Sequence, residues 1–275
     1  MSNADRDAVR DYYDTLAEGE WGRLESDSAS RVSFEIHRRF LRRHIQPGMH
    51  VLEIGAGPGR FTIELAQLGA TILVTDYSAV QLELNRRTVG PTSAEQAVVE
   101  RRQVDVCDTS EFATGEFDAV LAYGGALSYA FEQVEDATKG LLRIVKPDGV
   151  LVASVMSMLG TWRYLLSPVT EFAATHGEEL NNAIFATGDL RLRGGGHVCM
   201  MFRSDDIVKL VHTAGGSLID ASASNWASMN PDSVVESLEA DPVRWEHFLN
   251  NEQSACACRG AWDGGTHMLF AATPT

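Results

Sequence analysis

Apolar residues recur along this chain with two different periods, and the change between the two marks its predicted elements. In residues 1–46 the spacing is helical: Val9, Tyr12, Tyr13 and Leu16 repeat at three- and four-residue intervals, which predicts an amphipathic helix. From His50 onward, short apolar runs alternate with further stretches of helical spacing. That alternation is typical of a parallel sheet with helices on both faces.

The predicted elements follow from these runs and from the turn residues between them. A second N-terminal helix runs to about residue 45, and Ser30 is its predicted cap. We predict strands at 50–54, 71–76, 98–104, 117–122, 150–154, 218–223 and 266–272. We predict helices at 58–68, 79–87, 134–145, 204–214, 231–239 and 242–252. Residues 156–203 break the alternation, so they are predicted to be an insertion over the open end of the sheet.

The segment His50–Arg60 is the most informative stretch. The apolar run of its first residues leads directly into Gly55, Gly57 and Gly59, after which helical spacing begins. This pattern predicts a buried strand, a tight turn and a helix. Glycine suits such a turn because it adopts positive φ and lets a ligand lie against the backbone, and the following helix offers unpaired N–H groups to electron-rich groups.

Two families of nucleotide-binding turn compete for this segment. The dinucleotide fingerprint G-x-G-x-x-G needs a third glycine at position 60, which is Arg60. The pattern present is Glu53-x-Gly55-x-Gly57-x-Gly59. It resembles the nucleotide loop of class I S-adenosylmethionine-dependent methyltransferases, in which an acidic residue precedes the glycines and lies near the methionine end of the cofactor.

The resemblance implies an α/β fold, namely a Rossmann-like doubly wound seven-stranded sheet with strand order 3-2-1-4-5-7-6 and an antiparallel strand seven. On that fold, residues 1–46 would form an N-terminal helical lid or substrate segment, and 47–155 the S-adenosylmethionine-binding core. Residues 156–203 would be an insertion that forms the substrate pocket, and 204–275 the C-terminal part of the sheet with a helical insertion.

Three carboxylates are predicted to meet where the first three strands end. Glu53, Asp76 and Asp105 each close one of these strands, and ligands of doubly wound sheets bind at the carboxyl ends of the strands. Carboxylates can accept hydrogen bonds from ribose hydroxyls and from an adenine amino group. The resemblance assigns Asp76 to the ribose, Asp105 to the adenine amino group and the Val106 N–H to the adenine ring. The full predicted cofactor set is Glu53, Gly55, Ala56, Gly57, Gly59, Asp76, Tyr77, Gln81, Asp105, Val106 and Tyr123.

The sequence gives weaker evidence for the residues that would bind the methyl acceptor. Strand four opens into Tyr123-Gly124-Gly125 and lacks the Asn/Asp-Pro-Pro-Tyr motif usual in methyltransferases of base or glutamine amides, which argues against those substrates. His197 and His267 are the candidate general bases, since histidine exchanges protons near neutral pH; a structural role is the alternative for each. The predicted substrate pocket is Tyr13, Trp21, Ser128, Tyr129, Met156 and Trp162.

Composition narrows the possible partners. A formal net charge of −15 argues against a nucleic-acid partner and favours a neutral or cationic small acceptor. The four cysteines form no C-x-x-C pair or zinc pattern, so we expect no metal. We find neither a signal peptide nor a membrane-spanning stretch, which predicts a cytoplasmic protein without a membrane partner, either monomer or homodimer.

The function predicted from sequence is methyl transfer from S-adenosylmethionine to an N, O or S atom of a small molecule, with S-adenosylhomocysteine as product. Three alternatives stay open at this level. An acidic residue after strand two also suits NAD(P)-dependent oxidoreductases. The same fold could serve as a non-catalytic subunit that binds S-adenosylmethionine, or it could carry out other chemistry on a bound cofactor.

Overall fold

The computed structural model describes residues 3–16, 19–23, 25–229 and 232–275. The helices are α1 Asn3–Leu16, α2 Gly19–Arg23, α3 Ser28–His44, α4 Arg60–Gln67, α5 Ala79–Val89, α6 Val134–Ile144, α7 Met158–Tyr164, α8 Leu166–His176, α9 Glu178–Thr187, α10 Ser204–Thr213, α11 Asp232–Glu239 and α12 Pro242–Ala257. The strands are β1 His50–Ile54, β2 Thr71–Asp76, β3 Val98–Gln103, β4 Phe117–Ala122, β5 Val145–Met156, β6 Gly216–Ala223 and β7 His267–Pro274.

The seven strands form one sheet in the order β3-β2-β1-β4-β5-β7-β6. The first five are parallel neighbours, and β7 runs antiparallel between β5 and β6. This is the predicted order, including the reversed strand. The strand order changes direction between β1 and β4, so the chain leaves their carboxyl ends toward opposite sides and a crevice opens there, which is where doubly wound sheets bind ligands.

The central strands of the sheet are buried on both faces, which is why β1, β2 and β4 are largely apolar, whereas the edge strand β3 is mostly polar and partly exposed. Consecutive residues of a strand point to opposite faces: Val51 packs with α3 residues such as Phe40, whereas Leu52 packs with α6 residues such as Leu141. Val51 and Leu52 are both fully buried. Helix α3 therefore lies directly on the sheet, and its inner face reaches the edge where β1 and β4 end.

Two local predictions need correction. Helix α3 is capped by Asp27, not by Ser30: the Asp27 carboxylate accepts a hydrogen bond from the Ser30 N–H at 2.7 Å, so Ser30 lies inside the first turn. Strand β5 begins five residues earlier than predicted, and 147–149 form a bulge within it, where the register with β4 shifts. The bulge contains the extra residues of β5 that have no partner in β4.

The segment after β5 is helical. Helices α7, α8 and α9 leave the sheet and form a small apolar cluster of their own around Met158, Ile184 and Met201. Position 231, the predicted first residue of the α11 helix, lies outside the described residues. Within the described ranges, no helix combines the length and the apolar character needed to cross a membrane.

Candidate active site

A cavity opens at the carboxyl edge of β1, β2 and β4, bordered by the glycine turn, α1, α3 and the start of β7. Its described lining consists of Val9, Arg10, Tyr13, Ala29, Ser30, Ser33, His37, Glu53, Ile54, Gly55, Ala56, Gly57, Pro58, Arg60, Phe61, Asp76, Tyr77, Ser78, Gln81, Val104, Asp105, Val106, Tyr123, Gly124, Ala126, Tyr129, Tyr164, Asn225, Thr266 and His267. The strand-end carboxylates lie at one end and an aromatic group with two histidines borders the rest.

The glycine turn needs its glycines for two different reasons. Gly55 and Gly57 have φ values of +71° and +53° and line the cavity. Gly59 has φ +100°, and a Cβ there would lie 2.5 Å from Val89 Cγ2 and 2.9 Å from Asn85 Nδ2. Gly59 does not line the cavity. It lets the start of α4 pack closely against α5, whereas Gly55 and Gly57 leave room for a ligand.

Asp76 ties the turn to the end of β2. One of its oxygens accepts the Gly57 N–H at 2.9 Å and the other the Ser78 N–H at 2.8 Å. Each oxygen has a second lone pair, and the residue lines the cavity. Burial raises the pKa of Asp76 to about 6, although the backbone N–H groups of Ser78 and Gly57 act in the opposite direction. The group is therefore ionised at neutral pH and becomes protonated under mildly acidic conditions.

Glu53 is held by a buried chain of hydrogen bonds. The Thr62 hydroxyl donates to its carboxyl at 2.6 Å, Asn85 Nδ2 donates to Thr62 at 3.0 Å, and Arg101 Nε donates to Asn85 at 2.9 Å. Burial raises the pKa of Glu53 to about 8, while the Thr62 bond lowers it. The carboxyl is mostly protonated at neutral pH, and a cationic ligand beside it would favour its ionised form.

Gln81 provides an unsatisfied polar atom at the glycine turn. The residue is 2 % exposed, and its Oε1 has no hydrogen-bond partner. A Cβ on Gly57 would lie 3.9 Å from that oxygen. A buried acceptor left without a donor is costly, so this position suits a ligand that carries an N–H or O–H group.

Helix α1 lies across this end of the cavity. The Tyr13 carbonyl accepts a hydrogen bond from Gln81 Nε2 at 2.8 Å, and the Ser78 hydroxyl donates to Asp14. The Tyr13 hydroxyl is hydrogen-bonded to the Tyr129 hydroxyl. These contacts join α1 to the start of α5 and to the loop after β4, so α1 borders this end of the cavity.

The opposite end of the cavity is lined by rings. His37 of α3 is 5 % exposed, and its ring centroid lies 4.9 Å from that of Tyr123, 5.7 Å from that of Phe61 and 5.9 Å from that of His267. Asn225 supports this group, because its side-chain oxygen accepts the Thr266 N–H at 3.0 Å. The arrangement places two imidazoles beside an apolar ring surface.

Most of the predicted site residues line one cavity. Ten of the eleven predicted cofactor residues do so, Gly59 being the exception, as do Tyr13, Tyr129 and His267. His197 does not: its Nε2 is hydrogen-bonded to the Tyr129 hydroxyl at 2.9 Å, and its ring packs against Tyr12. His197 is therefore linked through Tyr129 to Tyr13 of α1.

Four predicted pocket residues lie outside the cavity lining. Trp21 packs under the Arg60 guanidinium, 4.1 Å from its ring centroid, and so reaches the cavity only through Arg60. Ser128 is fully buried and accepts the Met156 N–H at 2.9 Å. The side chain of Met156 lies beside Gly125. Trp162 is 39 % exposed and packs against Phe185.

Sequence reasoning missed the contribution of α3. His37 is not among the candidate bases that the sequence indicates, yet it lines the cavity with Ser33 and Ser30. A signal was present: Ser33 and His37 are four residues apart, next to the apolar positions Val32 and Ile36. Polar residues on the buried face of a helix indicate a polar environment there.

In comparisons with known proteins, the core of this chain is similar to methyltransferases. Residues 52–153 match a family model described as a methyltransferase domain. Demethylmenaquinone methyltransferase of Clavibacter sepedonicus is 33 % identical over 108 residues, covering 38 % of this chain and 40 % of the relative. A tuberculostearic acid methyltransferase of Mycobacterium tuberculosis is 29 % identical over 114 residues, covering 42 % and 26 % respectively.

The fold match extends further than the sequence matches. The crystal structure of magnesium protoporphyrin IX methyltransferase from Synechocystis, with bound S-adenosylhomocysteine, superposes with a TM-score of 0.62 at 15 % identity, covering 98 % of this chain and 100 % of that one. The chain spans about half the length or less of the curated relatives that it matches.

Proposed function

We propose that this chain, which carries a methyltransferase domain in the class I S-adenosylmethionine-dependent methyltransferase fold, transfers a methyl group from S-adenosylmethionine to a small organic acceptor. The observation that carries the proposal is the convergence of Glu53, Asp76 and Asp105 with the Gly55–Gly57 turn on one cavity. The methyltransferase names of the relatives support the same reaction.

The residues present fit the proposed cofactor. Asp76 offers two carboxylate oxygens to the ribose hydroxyls, and Asp105 offers an acceptor to the adenine amino group. Gln81 Oε1 is a buried acceptor without a donor, and Glu53 lies where it can pair with the cationic methionine end. When bound, S-adenosylmethionine supplies an electrophilic methyl group on a sulfonium whose sulfur leaves as a neutral thioether.

The protein itself would then align the methyl donor with the acceptor and exclude water from both. Methyl transfer is an in-line displacement, so fixing donor and acceptor at contact distance supplies much of the acceleration. Helix α1 covers the cofactor end through the Gln81–Tyr13, Ser78–Asp14 and Tyr129–Tyr13 contacts. The acceptor would lie at the ring-lined end, beside His37, Phe61 and Tyr123.

Calorimetric titration with S-adenosylhomocysteine, with NADH as the parallel control, tests the proposal. We expect micromolar binding of S-adenosylhomocysteine and none of NADH. The reverse preference would replace the methyltransferase by an oxidoreductase. Binding of S-adenosylhomocysteine without methyl transfer to any acceptor of a broad small-molecule panel would favour a non-catalytic binding subunit.

The raised pKa of Asp76 predicts that nucleoside binding depends on pH. Adenosine serves as the probe because its ribose hydroxyls need an ionised acceptor while it has no charge to respond to Glu53. Below the Asp76 pKa of about 6, binding must expel a proton, so affinity should fall by up to about tenfold per pH unit. We expect a constant affinity between pH 7 and 8 and a decline of about tenfold from pH 6.5 to 5.

The matched variant for this titration is Asp76→Asn, which keeps the size of the side chain but does not titrate. Its adenosine affinity should be weak and independent of pH over the same interval. A decline of equal steepness in Asp76→Asn would assign the titration to another group and contradict the prediction.

A further inference from the structure

The ring-lined end of the cavity contains two imidazoles that the proposed cofactor does not use. His37 comes from α3 and His267 from the first position of β7, and their ring planes meet at 73°. Both residues line the cavity, together with Phe61 and Tyr123, whose ring centroids are 4.9 Å apart. Separate elements therefore bring two proton-exchanging groups to one apolar wall.

The tautomer of His37 is fixed by the helix that carries it. Nδ1 of His37 lies 2.7 Å from the Ser33 carbonyl oxygen. A carbonyl oxygen can only accept, so Nδ1 carries the proton, and Nε2 of the neutral ring is the nitrogen with the lone pair. The backbone of α3 thus orients the imidazole with its basic nitrogen at the far end of the ring.

The charge of the lining argues against a protonated amine as acceptor. The described lining contains three carboxylates, Glu53, Asp76 and Asp105, and these belong to the nucleotide end of the cavity. The described lining residues from α3 and from the C-terminal part of the chain are Ala29, Ser30, Ser33, His37, Asn225, Thr266 and His267. None of these described lining residues is acidic, so an ammonium group there would meet no carboxylate within the described lining; Asp27 lies behind Ser30 and is already hydrogen-bonded to its N–H.

We propose that the acceptor is a phenol or enol, and that Nε2 of His37 accepts its hydroxyl proton while His267 flanks the same group. This inference rests on the proposed methyltransferase function. Imidazole, with an ordinary pKa of about 6.5, suits an acidic hydroxyl far better than an aliphatic alcohol. Phe61 and Tyr123, whose ring planes meet at 72°, provide an aromatic face and an aromatic edge against which a further aromatic ring can pack.

The proton and the electrons balance without a further reactant. The hydroxyl proton passes to Nε2 of His37, and the electron pair that it leaves on oxygen forms the new bond to the methyl carbon. The old carbon–sulfur bonding pair stays on the leaving sulfur. His37 then returns the proton to water when the methylated product has left. Tyr123, directly after β4, and His267 of β7 are two titratable groups whose rings pack against His37.

The test uses two matched probes on the whole protein saturated with S-adenosylhomocysteine. 4-Nitrophenol and 4-nitroaniline have nearly the same shape, but only the phenol can give its proton to His37, and its absorbance distinguishes the phenol from the phenolate. We expect nitrophenol to bind at least about tenfold more tightly than nitroaniline, the size of one charge-assisted hydrogen bond, and to show the phenolate band when bound at pH 6.

Two substitutions separate binding from proton acceptance. In His37→Asn the amide can still donate to the Ser33 carbonyl, but nothing replaces Nε2, so both the tenfold preference and the phenolate band should disappear. In His37→Gln an amide oxygen can accept a hydrogen bond but not a proton, so part of the preference should persist without the band. His212→Asn, on the exposed side of α10, is the control and should behave as wild type.

The affinity for S-adenosylhomocysteine is measured in every variant and should change by less than about twofold, since His37 lies outside the predicted cofactor set. If wild type does not bind S-adenosylhomocysteine, the proposed function itself fails. If it binds S-adenosylhomocysteine but shows no preference for nitrophenol, or if His37→Asn keeps the phenolate band, the function stands and the present inference is overturned.

Discussion

Replacing Asp76 by alanine should weaken S-adenosylhomocysteine binding by roughly 100-fold or more. Two effects add. The ligand loses hydrogen bonds to a charged acceptor, each worth about 1.5–3 kcal/mol. The protein loses the two bonds by which Asp76 holds the Gly57 and Ser78 N–H groups, so the glycine turn is no longer fixed against β2. Calorimetric titration at pH 7.5 gives the change directly.

The control for this variant is Asp148→Ala, in the exposed bulge of β5, which should leave the affinity unchanged. Circular dichroism and thermal unfolding establish that both variants are folded. An Asp76→Ala protein that is folded and binds S-adenosylhomocysteine within about threefold of wild type, a difference under about 1 kcal/mol, would show that the cofactor is held elsewhere.

The largest effect on stability should come from Gly160→Ala. Gly160 lies in the first turn of α7, and a Cβ there would lie 1.8 Å from the Gly265 carbonyl oxygen and 2.4 Å from its carbon. Both contacts are with backbone, so neither can be relieved by rotating a side chain. We expect the free energy of unfolding to fall by about 3 kcal/mol or more, the upper range for overpacking, as measured by urea denaturation.

Gly260→Ala is the matched control in the segment that leads to β7. Its added Cβ would have no atom within 4 Å, and it should change the free energy of unfolding by less than about 0.5 kcal/mol. Equal stability of the two variants would mean that α7 does not pack against residues 264–265.

Gly160→Ala should also weaken nitrophenol binding, because the loop that it displaces leads directly into Thr266 and His267.

The carboxylate end of the cavity could be predicted from the sequence because its residues are local to the strand ends. Glu53, Asp76 and Asp105 each stand within two residues of the end of a strand, and parallel strands place those ends at one edge. The glycines mark the turn by their backbone requirements. Only the distinction among them needed the structure, since nothing in the sequence shows that Val89 and Asn85 lie against Gly59.

The acceptor end could not be read in the same way, because it is assembled from distant parts of the chain. His37 and His267 are separated by most of the sequence, and their meeting depends on how α3 packs across the sheet and where β7 enters it. His197 shows the opposite case. The sequence makes it a candidate base, but its ring contacts Tyr129 and Tyr12 and does not line the cavity.

The sequence by itself determined the seven-stranded α/β architecture and which carboxylates meet the glycine turn at the strand ends, because hydrophobic period and glycine turns act over a few residues. Tertiary structure alone decided which side chains border the ring-lined end of the cavity and how α1 is hydrogen-bonded to the elements around it. It also decided that Asp27 rather than Ser30 caps α3. Side-chain direction at such places depends on packing between elements far apart in the chain, and local pattern contains no information about that packing.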